Sequence, residues 1–167
     1  MELKECTAAT FSMVVQWTYT GRVNPPHGQP ETIAKELDNL IDFLVLADRI
    51  DLLGTFEGFV KTIRSYIIKN RSILKGEHIQ LGFSLPKGHP LRKTLIDACM
   101  APFAFYMTGL YQKQNLLRFD FEKEMNELDE FAADLLKGFV VWNRESCSSK
   151  ARNRLDLPTG TYFTISW

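Results

Sequence analysis

The segment from residue 30 to residue 50 most constrains the fold, because its apolar residues recur with the period of an α-helix. At spacings of three and four they trace one stripe, formed by Ile33, Leu37, Leu40, Ile41 and Leu44. Further apolar side chains widen this stripe: Phe43, Leu46, Ala47 and Ile50. A helix that is apolar around so much of its circumference must be buried by neighbouring elements. We therefore predict a helix that is covered on two sides.

The residues on either side of this segment predict two further helices. Upstream, Thr7 is a suitable N-cap and Gly21 a suitable C-terminal stop. The apolar face of the helix between them would consist of Phe11, Val14, Val15 and Thr18. Residues 24–30, NPPHGQP, predict a loop whose last proline can open the central helix. Downstream, a break at 51–54 is followed by a predicted amphipathic helix that ends near Lys69.

The second half of the chain alternates between interrupted and strongly helical patterns. Glycine and proline interrupt the helical spacing over 76–92, which predicts a linker with a short extended piece. Helix is predicted to return over 94–117, with an interruption near Pro102. A second strong helix is predicted over 119–142. The alternating sequence TYFTISW at the end predicts a strand.

These elements predict a mostly α protein of the α+β class, with a helical C-terminal extension and short terminal strands. We expect a first domain over residues 1–70, a linker over 71–93 and the extension over 94–167. Our hypothesis is that residues 94–142 cover the apolar faces of the first domain, and that the final strand pairs with MELKEC at the start of the chain.

The composition argues against several classes of function. The chain has 167 residues, of which 45% are apolar and 24% charged, as in ordinary globular domains. Twenty basic and twenty acidic residues give zero net charge, which argues against general nucleic-acid binding. No stretch has the pattern of a signal peptide or of a membrane span. Three well-separated cysteines favour an intracellular location, cytoplasmic or nuclear.

Residues that suggest catalysis or metal binding are few. The three histidines, His27, His78 and His89, lie in or beside predicted loops, and we expect none of them to bind a metal. The common phosphate-binding, dinucleotide-binding and hydrolase motifs do not occur in the sequence. We predict no catalytic residue, no cofactor, no metal and no small-molecule substrate. Aromatic residues make up 12% of the chain, and we expect the excess apolar surface either to be buried in a second layer or to be offered to another protein.

Two phrases in the first half of the chain resemble a known family. TFSMVVQWTYTGRV at 10–23 is followed by ELDNLIDFLVLADRIDLLG at 36–54. In this order they resemble the BTB/POZ domain, and the intervening loop resembles that of fungal members. The matching residues are Phe11, Trp17, Tyr19, Thr20, Gly21, Leu40, Leu44, Leu46, Ala47, Asp48, Arg49, Ile50 and Leu52. A later phrase, PKGHPLRKTLIDA, resembles a sequence that often follows the domain in fungal proteins.

The resemblance implies structural roles for the motif residues. Trp17 and Tyr19 would anchor the end of the first helix against the LADRI helix, and Gly21 would turn the chain. Asp48 and Arg49 would cap that second helix and tie it down. The implied function is protein–protein interaction, as a scaffold or adaptor without catalysis, with partners that are other proteins.

The chain departs from the family pattern at its start. Only MELKEC precedes the Phe11 helix, so we expect a remnant without the N-terminal half of the domain and its dimer surface. The register places Asn39, Leu40 and Ile41 where cullin-binding members carry an apolar-x-acidic motif, without the acid. Self-association and a cullin stay open as partners. The alternatives are a substrate adaptor of a cullin-3-type ubiquitin ligase and a small helical enzyme centred on His78 or His89.

Overall fold

The computed structural model describes residues 7–23, 30–108, 119–147, 155–156 and 162–163. Over these residues the protein is mostly helical, as predicted. The helices are α1 (Ala8–Thr20), α2 (Pro30–Arg49), α3 (Glu57–Lys69), α4 (Gly76–Ser84), α5 (Pro90–Thr108), α6 (Glu122–Glu127) and α7 (Asp129–Cys147), with a 3-10 turn at Arg71–Ile73. The chain forms two compact units, Met1–Pro90 and Leu91–Trp167.

Two short strands follow the last helix. They are β1 (Leu155–Asp156) and β2 (Tyr162–Phe163), which pair antiparallel with Leu155 opposite Phe163 and Asp156 opposite Tyr162. The two residues of β2 lie within TYFTISW, and the longer terminal strand over that stretch stays a prediction. Its predicted partner, MELKEC, lies outside the described residues.

Helix α1 begins and ends at the predicted residues. The Thr7 Oγ1 accepts a hydrogen bond from the Thr10 amide at 3.1 Å, which satisfies a free donor of the first turn. At the other end Gly21 adopts φ 62°, and its amide donates to the Trp17 carbonyl. Glycine takes this left-handed conformation without the steric penalty of a side chain, so the helix stops there.

Helix α2 is the centre of the first unit. It contacts α1, α3 and α4, so more than one side of it is covered, as predicted. Its buried apolar side chains are Leu37, Leu40, Ile41, Phe43, Leu44, Val45, Leu46 and Ala47. Burying this much apolar surface is the main source of stability for such a unit.

The prediction of a linker was wrong over residues 71–84. These residues form the 3-10 turn and α4, and α4 packs against α2 within the first unit. Gly82 lies inside the helix, where a glycine costs only about 1 kcal/mol relative to alanine. Burial of Ile73, Leu74 and Ile79 offsets that cost. The predicted turn character persists at Gly88, which has φ 90°.

The predicted interruption of α5 near Pro102 was also wrong, because the helix continues through that proline to Thr108. A proline inside a helix removes one backbone hydrogen bond and strains the preceding turn. Here the neighbouring Cys99 and Phe103 are fully buried, and tertiary packing of this kind can hold a helix together despite such a defect. The residues that follow, 109–118, lie outside the described part of the chain.

The single helix predicted over 119–142 is two helices, α6 and α7. Leu128 separates them with an extended backbone, φ −120° and ψ 93°. Asp129 and Glu130 then occupy the first turn of α7, where negative charge is favourable. The apolar spacing runs on across Leu128, so periodicity alone does not reveal the break.

Helices α5 and α7 meet through a buried cation and through close side-chain packing. The buried Arg92 of α5 donates from Nη2 to Glu130 Oε2 of α7 at 2.5 Å. Gly138 of α7 lies against Met100, and a Cβ at that position would meet Met100 Cε. Both features set how closely these two helices approach.

Candidate functional site

The BTB-like motif residues divide between the core and the surface of the first unit. Leu44 and Ala47 are buried in α2, and Gly21 ends α1. Asp48 and Arg49 are exposed at the end of α2. The motif therefore does not converge on one pocket, and its members have to be considered separately.

Trp17 holds the end of α1 against the second and third helices. Its ring lies 5.0 Å from that of Phe56, 5.6 Å from that of Phe59 and 6.4 Å from that of Phe43, measured between centroids. Its Nε1 donates to the Leu53 carbonyl at 3.2 Å. Aromatic pairs at these separations add to the energy of simple burial.

Gly54 is part of the same contact. It lies between α2 and α3 with φ 153°, and a Cβ there would come 2.5 Å from Trp17 Cζ2. The indole ring therefore rests directly on backbone. The sequence marks Gly54 as part of a helix break, but only the structure shows that the indole occupies the place of its side chain.

The prediction that Tyr19 anchors α1 was wrong, because its side chain is 85% exposed. Phe11 and Val15 were predicted to face inwards, yet they are 52% and 39% exposed. Of the predicted face only Val14 is buried, because Thr18 is exposed as well; the other buried residue of α1 is Thr10. A helix with apolar residues on both sides gives no periodic indication of which side is covered.

The exposed residues form one surface, which we call the α1 outer face: Phe11, Val15 and Tyr19. They follow one another at intervals of four residues and therefore lie along one side of the helix. The helix sequence, AATFSMVVQWTYT, contains no charged residue. A surface helix normally carries charged and polar residues on its solvent side, so this face is unusual for one that meets only water.

A second feature lies where α4 begins beside α2. His78 is only 3% exposed, and its Nε2 lies 2.7 Å from Asp38 Oδ1 of α2. Its Nδ1 accepts a hydrogen bond from the Lys75 amide at 3.1 Å. Because Nδ1 is the acceptor, the ring proton is on Nε2 and is donated to Asp38. Lys75 Nζ donates to both oxygens of Asp38, at 3.0 and 2.9 Å.

Burial and hydrogen bonding shift the pKa values of the ionisable groups in this cluster. Burial lowers the pKa of His78 below its ordinary value of 6.5 and outweighs the opposing effect of the Asp38 carboxylate. Burial would raise the pKa of Asp38, but hydrogen bonds from Lys75 and His78 hold it below its ordinary value. Burial and the nearby charge of Asp38 raise the pKa of Asp42. At neutral pH the cluster is a neutral imidazole beside an ion pair.

Helix α2 also holds α3 through a carboxylate. Tyr66 donates from its hydroxyl to Glu36 Oε2 at 2.6 Å. Burial and this hydrogen bond raise the pKa of Tyr66 to about 12. The buried Glu36 Oε1 has no hydrogen-bond partner among the described residues.

This arrangement suits structural roles for the two described histidines. Both ring nitrogens of His78 are occupied by protein groups, so neither can accept a proton from a substrate without giving up a helix contact. Burial lowers the pKa of the half-buried His89 despite the opposing charge of Asp48. His27 lies outside the described residues. Within the described ranges, no group of three or more His, Cys, Asp or Glu side chains is placed to hold a metal ion.

The residues aligned with the family's cullin-binding motif lie mostly in the core. Leu40 and Ile41 are fully buried in α2, and Asn39 is half-buried. Another protein cannot contact the two buried side chains while the first unit is folded. The motif position therefore provides little contact surface.

Comparison with protein-family models, with curated proteins and with solved structures gave no match. The resemblance to the BTB/POZ domain thus depends on the sequence phrases alone and stays a prediction. In the helices that the structure describes, none combines the length and apolar character needed to cross a membrane.

Proposed function

We propose that the protein is a non-catalytic protein–protein interaction module, a scaffold or adaptor built on a BTB-like remnant. The observation that carries the proposal is the α1 outer face. It exposes two aromatic rings and a branched aliphatic side chain on a helix without charge. Exposed apolar surface of this kind is typical of interaction sites.

The chemistry of α1 specifies the kind of partner. Ser12 and Gln16 are exposed beside the apolar residues, and both are neutral. A charged partner would lose its hydration here without gaining a counter-charge. The partner is therefore a protein with an apolar, uncharged contact surface, such as the apolar side of an amphipathic helix.

Two further observations support interaction over catalysis. Trp17 fixes the end of α1 through its contacts with Phe43, Phe56 and Phe59, so the outer face is presented on a rigid element. A pre-organised face loses less entropy when it binds. His78, the centre of the rival enzyme hypothesis, is buried with both nitrogens occupied.

Site-specific photo-crosslinking tests this proposal. A photoreactive phenylalanine analogue replaces Val15 in one variant and Lys61, on the exposed side of α3, in a matched control. The full chain is irradiated in extracts of its own cells, and adducts are identified by mass spectrometry. We expect a discrete protein adduct from position 15 that position 61 does not give.

A second step measures the interaction with purified components. The adduct partner, or a second copy of the chain if that is what was captured, is titrated calorimetrically with the wild type and with Phe11→Ser. We expect binding to weaken at least about tenfold, because an aromatic anchor is removed. Equal adducts at both positions, or unchanged affinity of Phe11→Ser, would contradict the proposal.

A further inference from the structure

The beginning of α4 depends on a histidine nitrogen. The Lys75 amide donates to His78 Nδ1 at 3.1 Å, while the His78 amide donates back to the Lys75 carbonyl at 3.1 Å. The free amides at the start of a helix usually find an acceptor that cannot be protonated near neutral pH, such as a hydroxyl or a carboxylate. An imidazole nitrogen differs, because protonation converts it from an acceptor into a donor.

We propose that the first turn of α4, beside its contact with Asp38 of α2, is a proton-sensitive latch. Protonation of His78 at Nδ1 places two donors, this N–H and the Lys75 N–H, against each other and removes the acceptor that closes the first turn of α4. Acid would therefore open the first turn of α4, while the His78 Nε2–H keeps its bond to Asp38 and α1, α2 and α3 remain packed. This latch is independent of the α1 outer face.

The charged groups around the imidazole determine how readily His78 is protonated. From α2 the ring meets Asp38 directly, with Asp42 nearby; on its own side it has Lys75 and Glu77. The carboxylates favour a protonated ring. Lys75 opposes it, because its ammonium already binds both oxygens of Asp38 and adds positive charge beside the ring.

The sign of the pH effect follows from the direction of the shift. His78 has a lower pKa in the folded protein than in the unfolded chain. The stabilisation that neutral His78 provides is therefore fully present above about pH 6.5. It is lost as the pH falls through the pKa that His78 has in the folded protein. Asp38 stays ionised through this range, because its pKa is held below 3.8. Below the ordinary value of 6.5, His78 therefore takes up its proton beside an ionised Asp38, and the His78→Asn variant separates this effect from that of Asp42, whose pKa is raised.

Nuclear magnetic resonance on the wild-type chain tests the first step. Nitrogen shifts of His78 report which ring nitrogen carries the proton. We expect the Nε2–H form at neutral pH and a titration midpoint below 6.5, the ordinary value. An Nδ1–H form, or a midpoint at or above the ordinary value, would overturn the proposal without any variant having to fold.

Amide hydrogen exchange tests the second step. As the pH falls from about 7.5 to about 4.5, we expect protection of the Lys75 amide to fall about tenfold, after correction for intrinsic exchange, while Ile63 in α3 changes less than about twofold. His78→Asn supplies an oxygen acceptor that does not titrate, and should remove the pH dependence. His89→Asn, the matched control, should retain it. A pH-independent Lys75 amide in the wild type would refute the latch.

Discussion

Helices α1 and α2 contact each other but use their residues in opposite ways. Helix α1 has no charged residue, yet only Thr10 and Val14 are buried in it. Helix α2 carries charges along its length, yet it supplies about half of the buried apolar residues of the first unit, and even Glu36 is buried. The difference shows that burial depends on how many elements surround a helix and only partly on how apolar the helix is. Helix α2 touches three helices.

The largest effect is expected where α2 is most enclosed. Phe43 is fully buried and touches the rings of Trp17, Phe56 and Phe59. Phe43→Ala should lower the free energy of unfolding by about 3–5 kcal/mol, because it leaves a cavity in a packed core. Phe11→Ala on α1 is the matched control and should change it by less than about 1 kcal/mol. Chemical denaturation measures both changes. Similar losses of stability for the two variants would contradict the conclusion that α2 is enclosed while Phe11 of α1 is exposed.

A smaller effect is expected at the glycine under the indole ring. Gly54→Ala forces a Cβ to within 2.5 Å of Trp17 Cζ2, so the ring or the turn has to move. We expect a loss of about 2 kcal/mol. Gly58→Ala is the control, because a Cβ there meets nothing within 4 Å and alanine favours the helix. It should stabilise the protein slightly; a loss at Gly58 as large as at Gly54 would show that Trp17 is not the cause.

The hydrogen bond between α2 and α3 should contribute less. Tyr66→Phe leaves both oxygens of the buried Glu36 without a partner among the described residues, at a cost of about 1–2 kcal/mol at pH 7. Because the pKa of Tyr66 is raised to about 12, its contribution is present below its ordinary value of 10.0 and is lost as the pH rises through the folded value. Denaturation at pH 7 and an absorbance titration of tyrosinate check both points.

The control for this measurement is Tyr19→Phe, since Tyr19 is exposed. It should leave the free energy of unfolding unchanged. If Tyr66 ionised near 10.0 instead, its bond to Glu36 would be absent in solution.

The smallest effect on stability is expected on the α1 outer face. Phe11→Ser combined with Tyr19→Ser should change the free energy of unfolding by less than about 1 kcal/mol, because both side chains are largely exposed. The same pair should abolish the crosslink from position 15. A large loss of stability would mean that this face is covered within the folded chain.

Local sequence patterns were sufficient for the ends of several helices. Thr7, Gly21 and Pro30 act through backbone geometry and short-range hydrogen bonds, which depend on few neighbours. Longer-range outcomes were not accessible in this way. Helix α4 forms despite its glycines because α2 covers it, and α5 continues through Pro102 because its neighbours are buried.

Neither the α1 outer face nor the latch was predicted from the sequence, because each depends on residues that meet only after folding. Tyr19 and Trp17 belong to one phrase and are two residues apart, yet one is exposed and the other packs on Gly54. His78 and Asp38 are 40 residues apart, and no spacing rule connects them. His78 fell within the predicted linker, so its position in the sequence offered no reason to place it in a buried helix contact.

Residue order alone was enough to establish a mostly helical chain, the caps of α1 and the apolar character of α2, since each follows from neighbours within one or two turns. Which side of α1 faces outward, how closely an indole approaches Gly54 and which nitrogen of His78 serves α4 depend on helices that meet only after folding. Side-chain burial and hydrogen bonding are set by those distant neighbours, because each buried group needs a partner of the right shape or polarity.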